Sequence, residues 1–144
     1  MSVATQNFPF TKQFVIKVFE SIIRSRMVDE KMHKLVRQSK GGSFHLFCNG
    51  HEMVGAVAGL TLQPGVDWLL PYYRDRATVI GLGAPLVELF EAFLARDSVH
   101  HSGGRMMPEH FSHLPLRIPC QSSCVGSQFL QAVGVAKSVQ LSGF

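Results

Sequence analysis

The stretch TKQFVIKVFESIIRSRMVDEKMHKLVRQS, residues 11–39, sets the framework of the chain. Phe14, Val15, Val18, Phe19, Ile22, Ile23, Met27, Met32, Leu35 and Val36 recur at helical spacing with charged residues between them. That period predicts one long helix with one buried face. Thr11 offers a hydroxyl to cap its first turn, and Gly41-Gly42 is a natural stop. The stripe implies a structural helix and no chemistry.

Downstream, residues 51–62 read as a second helix in which Gly55, Ala56, Ala58 and Gly59 leave one side nearly bare, suited to close backbone approach. Gln63-Pro64-Gly65 ends it. Trp68-Leu69-Leu70 is a short apolar run that predicts a buried strand ending at Pro71. Residues 73–82 return to helix, and Pro85 opens another through Leu94, with Leu86, Leu89, Phe90 and Phe93 on one face. Periodicity is then lost over residues 97–121, a stretch rich in His, Gly, Pro and Ser, and loops of that length usually serve a function or are disordered. A last helix, residues 124–139, is capped by Ser122 or Ser123 and carries Gly126, Ala132, Gly134 and Ala136. Strands alternating with helices give an α/β class, and so few strand candidates leave the sheet incomplete.

Composition narrows the function classes. With 46% apolar and 17% charged residues over 144 positions, the chain is globular and about one domain long. No apolar run approaches the ~18 residues of a membrane span, and residues 1–10, an N-terminal arm, lack the basic and apolar regions of a secretory signal. Net charge is +4, but the basic residues are scattered, which argues against nucleic acid and suits an anionic substrate or phosphorylated cofactor. Cys48, Cys120 and Cys124 are an odd set that reads as free thiols in a reducing cytoplasm.

Three clusters can carry chemistry. Tyr73-Arg74-Asp75 follows the expected strand, where open α/β sheets place ligands, and Arg74 can fork onto a phosphate. The plainer reading is an Arg paired with a carboxylate and a Tyr filling core. Gly103-Gly104-Arg105-Met106-Met107-Pro108-Glu109-His110 combines turn formers with an imidazole that exchanges protons near neutral pH, or is a surface loop with an incidental histidine. Ser122-Ser123-Cys124-Val125-Gly126-Ser127-Gln128 opens a helix whose hydroxyls and amides can hold an ion or a cofactor edge, or merely cap it. His110, His113, Cys120 and Cys124 also offer zinc ligands, at a spacing that resembles a finger poorly.

Taken in order, residues 27–32, Gly50-His51-Glu52, Tyr73-Arg74-Asp75, residues 104–110, Ser122-Ser123 with Gln128, and Gln131-Ala132-Val133-Gly134 give a chain that resembles alpha chains of the thiamine-dependent first component of 2-oxo acid dehydrogenase complexes. The loop looks more like the branched-chain type. The resemblance covers about residues 14–140 and implies the helix-rich amino-terminal part of a thiamine-diphosphate-binding fold, residues 11–144. It implies that Tyr73 and Arg74 contact the diphosphate, and that Ser123 and the backbone of Val125 face the aminopyrimidine and central region. By the same resemblance, His110 lies towards the substrate with Arg105 on the same loop, and Ser122, Ser127 and Gln128 match positions that hold potassium. In such enzymes the cofactor supplies a carbanion that attacks the 2-oxo carbon, and the acyl group passes to a lipoyl carrier on an acyltransferase. The cofactor lies between alpha and beta chains, and the activating glutamate comes from the beta side. The pattern departs from the family where Cys124 stands for a proline and Ser127 for a threonine. The family's Gly-Asp-Gly motif for magnesium would begin just after residue 144, so residues 1–144 alone are expected to be inactive and to need an oligomeric partner. A non-catalytic assembly domain is the alternative expectation.

Overall fold

In the computed structural model, residues 10–42, 44–97 and 102–143 are described. Among the described residues five helices follow one another: α1 (Lys12–Arg37), α2 (Glu52–Thr61), α3 (Arg76–Leu82), α4 (Leu86–Phe93) and α5 (Ser127–Ser142), with a 3-10 turn at Leu114–Leu116. The arm expected at residues 1–10 lies outside the described residues except for Phe10, whose ring stacks on Phe14 at 5.4 Å.

α1 starts as its sequence dictates, the Thr11 hydroxyl accepting the Phe14 N–H at 3.2 Å. It does not stop at the glycine pair. Ser39 adopts a left-handed φ of 54°, and the N–H groups of Ser39 and Lys40 close onto the carbonyls of Val36 and Leu35. Gly41 and Gly42 serve close packing instead: a Cβ on Gly41 would meet the Phe93 ring at 2.4 Å, and one on Gly42 would meet Pro108 at 2.3 Å.

The buried face of α1 is not the one its apolar residues mark. Val18, Ser21, Ser25, Val28, Asp29 and Met32 are buried, whereas Phe19 (62% exposed), Met27 (64%), Val15, Ile23 and Val36 face outward. Small Ser21 and Ser25 are compatible with near approach of the neighbouring helices, and Asp29 is drawn in by a buried cation described below.

α2 and α3 meet backbone to backbone. A Cβ on Gly59 would lie 2.2 Å from the Thr78 carbonyl oxygen, and one on Gly55 would touch Ala77 and Thr78. The bare side read from the sequence is therefore a helix–helix contact. α4 presents Leu89 and Phe93 to a core that includes Val28, Met32, Val79, Leu82, Phe111 and Ile118.

Two expectations fail here. Trp68-Leu69-Leu70 forms no strand; among the described residues its one backbone bond runs from the Leu69 N–H to the Arg117 carbonyl at 3.2 Å, and Trp68 is exposed. A strand is defined by a neighbouring strand, and among the described residues the nearest to one is an isolated antiparallel bridge between His113 and Ile118. What stands is a helix-rich arrangement consistent with an incomplete sheet. The last helix begins later than expected, with Gly126 at its N-cap in the left-handed region and no side-chain cap, so Ser122 and Ser123 belong to the preceding loop. No α5 residue is buried, and Phe129, Leu130 and Val133 are 77%, 82% and 68% exposed.

α1 is stapled to α2 by Glu52, whose carboxylate accepts from Arg26 and from the Gly50 N–H, each at 2.6 Å. Burial works against its charge, but its own backbone N–H, Arg26 and the Gly50 N–H outweigh burial and hold the carboxyl below its ordinary value. A lowered folded value stabilises above the unfolded pKa and is lost as pH falls through the folded one. Glu52→Gln should therefore be less stable than wild type in urea at neutral pH, with the gap closing below roughly pH 4. Gly59→Ala should lose about 1–3 kcal/mol through the clash with Thr78. Gly134→Ala, where a Cβ meets nothing within 4 Å, should be neutral or gain up to about 1 kcal/mol. Equal stabilities for the two alanine variants would contradict the packing described.

Candidate functional site

The site is mounted on a buried ion cluster. Arg76, the first residue of α3, is 1% exposed and donates one Nη to Asp29 of α1 and the other to Glu109 of the long loop. Asp29 also accepts the Cys48 N–H at 3.0 Å; Glu109 also accepts the Leu46 N–H at 3.3 Å and bonds His45 Nδ1 at 3.1 Å. One guanidinium thus joins α1, the 44–48 segment, α3 and the loop. Burial alone would lower the Arg76 pKa, but Glu109, Cys48 and Asp29 together raise it above its ordinary value, so it stays charged. Glu109 sits at φ 67°, a conformation that costs a non-glycine residue about 1–3 kcal/mol and persists only where its surroundings enforce it.

Next to Glu109, His110 is buried and both ring nitrogens are engaged. Nδ1 lies 3.0 Å from the Pro108 carbonyl oxygen, which can only accept, so Nδ1 carries the hydrogen. In the neutral ring Nε2 then accepts from the Ser123 hydroxyl. Phe44 packs edge-on against the His110 ring at 5.1 Å and against Tyr73 at 5.5 Å, and Tyr73 stacks with His110 at 6.0 Å. Arg74 lies over the Tyr73 ring at 5.5 Å and donates to the Tyr72 hydroxyl at 2.9 Å. The neighbouring Tyr73 hydroxyl pushes Tyr72 above its ordinary value, and burial raises Asp75, whose carboxylate accepts the Tyr72 N–H at 2.8 Å.

Of the residues expected from sequence, Tyr73, His110 and Ser123 therefore converge from three separate segments, with Arg74 beside them. The others sit differently. Arg105 is exposed and donates to the Ser102 carbonyl at 2.6 Å within its own turn. Val125 is 74% exposed. Ser122 accepts the Cys124 N–H at 3.1 Å, Ser127 donates to the Cys124 carbonyl at 2.8 Å, and Gln128 accepts the Gly126 N–H at 3.0 Å, so all three oxygens serve the 122–128 loop.

Among the described residues the four candidate zinc ligands do not come together. His113 accepts the Leu116 N–H at Nδ1 and reaches Glu88 at 3.0 Å through Nε2, His110 is engaged as above, and Cys120 and Cys124 are exposed. Among the described residues no three His, Cys, Asp or Glu side chains converge to hold a metal ion. Nor is any helix among them long and apolar enough to cross a membrane.

Sequence reading quoted Asp29 and Glu109 only as parts of motifs, with no role for either, and missed Arg76 and Phe44. Arg76 left one trace, a charge heading the apolar run Ala77-Thr78-Val79-Ile80.

Residues 20–143 match the family described as "Dehydrogenase E1 component". The chain is 34% identical over 131 residues to the 2-oxoisovalerate dehydrogenase subunit alpha of Bacillus subtilis, covering 91% of this chain and 39% of that protein. It is 31% identical over 133 residues to the pyruvate dehydrogenase E1 component subunit alpha of Staphylococcus aureus, covering 92% and 33%. A plant relative, the mitochondrial 2-oxoisovalerate dehydrogenase subunit alpha 1 of Arabidopsis thaliana, is 26% identical over 133 residues, covering 92% and 28%. The chain spans less than two-fifths of the length of each of these relatives.

The three cysteines are free but differ in surroundings. Burial pushes the Cys48 thiol up to about 12, with Arg76 opposing and Asp29 and Glu109 adding to the rise. Because thiolate is the reactive form, native protein should titrate two thiols rapidly with an aromatic disulfide reagent at neutral pH, and the third only after unfolding. Rapid reaction of Cys48 in folded protein would contradict the ion cluster around it.

Proposed function

The chain belongs to the dehydrogenase E1 component family of thiamine-diphosphate-dependent 2-oxo acid dehydrogenases, and from that premise we propose that it forms one wall of the cofactor site in an enzyme that decarboxylates a 2-oxo acid, branched-chain in type. The convergence of Tyr73, His110 and Ser123, with Arg74 alongside, carries this reading. The donors suit the cofactor: a half-buried guanidinium beside a tyrosine hydroxyl matches a diphosphate, whose oxygens accept charge-assisted hydrogen bonds. When bound, thiamine diphosphate with magnesium would supply the nucleophilic carbanion chemistry that decarboxylation of a 2-oxo acid needs.

This chain's residues would then act as follows. Tyr73 and Arg74 hold the diphosphate. Ser123 and the exposed backbone at Val125 border the aminopyrimidine and the central part of the cofactor. His110, with Nδ1–H fixed on the Pro108 carbonyl, presents Nε2 as the atom that takes or returns a proton, and Ser123 is its resting partner. Arg105, exposed on the same loop, meets the carboxylate end of an anionic substrate. Ser122, Ser127 and Gln128 are candidates for a potassium site that would bind in exchange for the loop's internal bonds.

Residues 11–144 would be the amino-terminal part of an α/β thiamine-diphosphate-binding domain whose sheet and magnesium ligands come from further sequence. The beta chain, or a beta half of the same enzyme, would supply the activating glutamate, and the acyl group would leave on the lipoyl carrier of an acyltransferase. Exposed Phe129, Leu130 and Val133 of α5 support an oligomeric assembly that covers them. Free thiols suit the cytoplasm.

The test uses the complete alpha chain with its beta chain, magnesium and thiamine diphosphate. Arg74→Ala should weaken cofactor binding roughly 10- to 100-fold by calorimetry, the range of one lost charge-assisted pair, and kcat/KM should favour 2-oxoisovalerate over pyruvate. Residues 1–144 alone should release no carbon dioxide from either acid. Unchanged cofactor affinity in Arg74→Ala, or turnover by the isolated chain, would refute this assignment.

A further inference from the structure

We propose that Glu109 is a positioning residue for His110: its carboxylate, clamped by buried Arg76, holds the 108–110 turn in the one backbone conformation that sets the imidazole on Ser123. What His110 does in turnover rests on the function proposed above; where the ring is held rests on geometry alone.

Several facts converge. Glu109 lies between Pro108 and His110, so its φ of 67° fixes the direction in which the His110 side chain leaves the loop. Nothing intrinsic to glutamate favours that region; glycine, asparagine and aspartate populate it far more readily. The turn is closed by the His110 N–H on the Met107 carbonyl at 3.3 Å, and a further constraint comes from the side chain, whose surface is 3% exposed and whose two oxygens are held by Arg76, His45 and the Leu46 N–H. Arg76 cannot follow the loop outward, because its other Nη is fixed by Asp29 in the middle of α1 and it also reaches the Leu46 carbonyl at 3.4 Å. On the opposite side of the turn, Pro108 is seated so closely on Gly42 that a Cβ there would be 2.3 Å away. The turn is pinned from beneath by an ion pair and from the side by packing, and His110 emerges from it with Nδ1 already bonded to Pro108.

If the tether positions His110, replacing Glu109 by glycine should harm the site even though glycine relieves the backbone. If only the backbone conformation matters, glycine should preserve or improve it. Glu109→Gln keeps one oxygen for Arg76, gives up the Leu46 N–H contact and leaves Arg76 neutralised by Asp29, so it should hold the His110 tautomer as wild type does.

The imidazole nitrogen-15 resonances of His110 report the outcome, read in the folded chain at about pH 8, where an unperturbed ring is neutral. Wild type and Glu109→Gln should show one Nδ1–H tautomer, whereas Glu109→Gly should show the two nitrogens averaged towards each other. In the assembled enzyme, Glu109→Gly should lower kcat at least tenfold while KM for the 2-oxo acid stays within about twofold. Should the glycine variant fail to fold, Glu109→Asp, which tolerates positive φ but is one methylene too short for Arg76, should give the same averaging. A glycine or aspartate variant that keeps the wild-type tautomer overturns the proposal. Loss of cofactor binding with the tautomer intact would count against the assigned function and not against this tether.

Discussion

Everything that positions the site depends on one buried guanidinium. Arg76 is sealed among Asp29, Glu109 and the carbonyl of Leu46, and an arginine in that environment survives only if both forks of its planar head are matched. Matching them draws a carboxylate from the centre of α1 and another from a loop more than thirty positions further along the chain. The same carboxylates then satisfy the N–H groups of Leu46 and Cys48, which tie down a connection that forms no regular structure of its own. Truncating either carboxylate side chain would leave a buried Nη of Arg76 unmatched, so the cluster acts as a unit. Such clusters add little net stability over well-packed apolar residues; here the cluster joins α1, α3 and the loop that carries His110.

The arrangement divides into a firm half and an open half. α1 to α4 pack on each other through glycine and serine contacts and a shared apolar core. α5 stands apart, with apolar side chains exposed and a groove between it and Trp68, Leu114 and Arg117. The candidate site lies at the junction, since His110 belongs to the firm half and Ser123 to the loop that leads into α5. The candidate site is thus pre-shaped on one side and, among the described residues, open on the other. That suits a protein whose relatives are more than twice as long and are named as alpha subunits.

Much of this was legible in the sequence, and what was not has definite physical causes. Thr11 at the head of α1 and the bare flank of α2 could be read because capping and close approach depend on local residue type. The buried side of α1 could not, because Ser21, Ser25 and Asp29 look solvent-facing until their partners are known. Trp68-Leu69-Leu70 reads as a strand, but strand formation is a property of pairs, and the described chain offers it only one carbonyl. The site residues Tyr73, Arg74, His110 and Ser123 stood out as an ordered set of motifs. Glu109 stood inside one of those motifs, but its role did not show, because that role lies in a positive φ and in a cation thirty-three residues away, neither of which has a signature in the sequence.

The central claim is that Tyr73, Arg74, His110 and Ser123 form one wall of a thiamine diphosphate site. A crystal structure of the complete alpha chain with its beta chain, magnesium and thiamine diphosphate tests it most directly. The account expects diphosphate oxygens within hydrogen-bonding distance of the Arg74 guanidinium and the Tyr73 hydroxyl, with Ser123 beside the ring system and His110 facing the reactive carbon. A cofactor bound elsewhere, with these four side chains still paired among themselves, would contradict it.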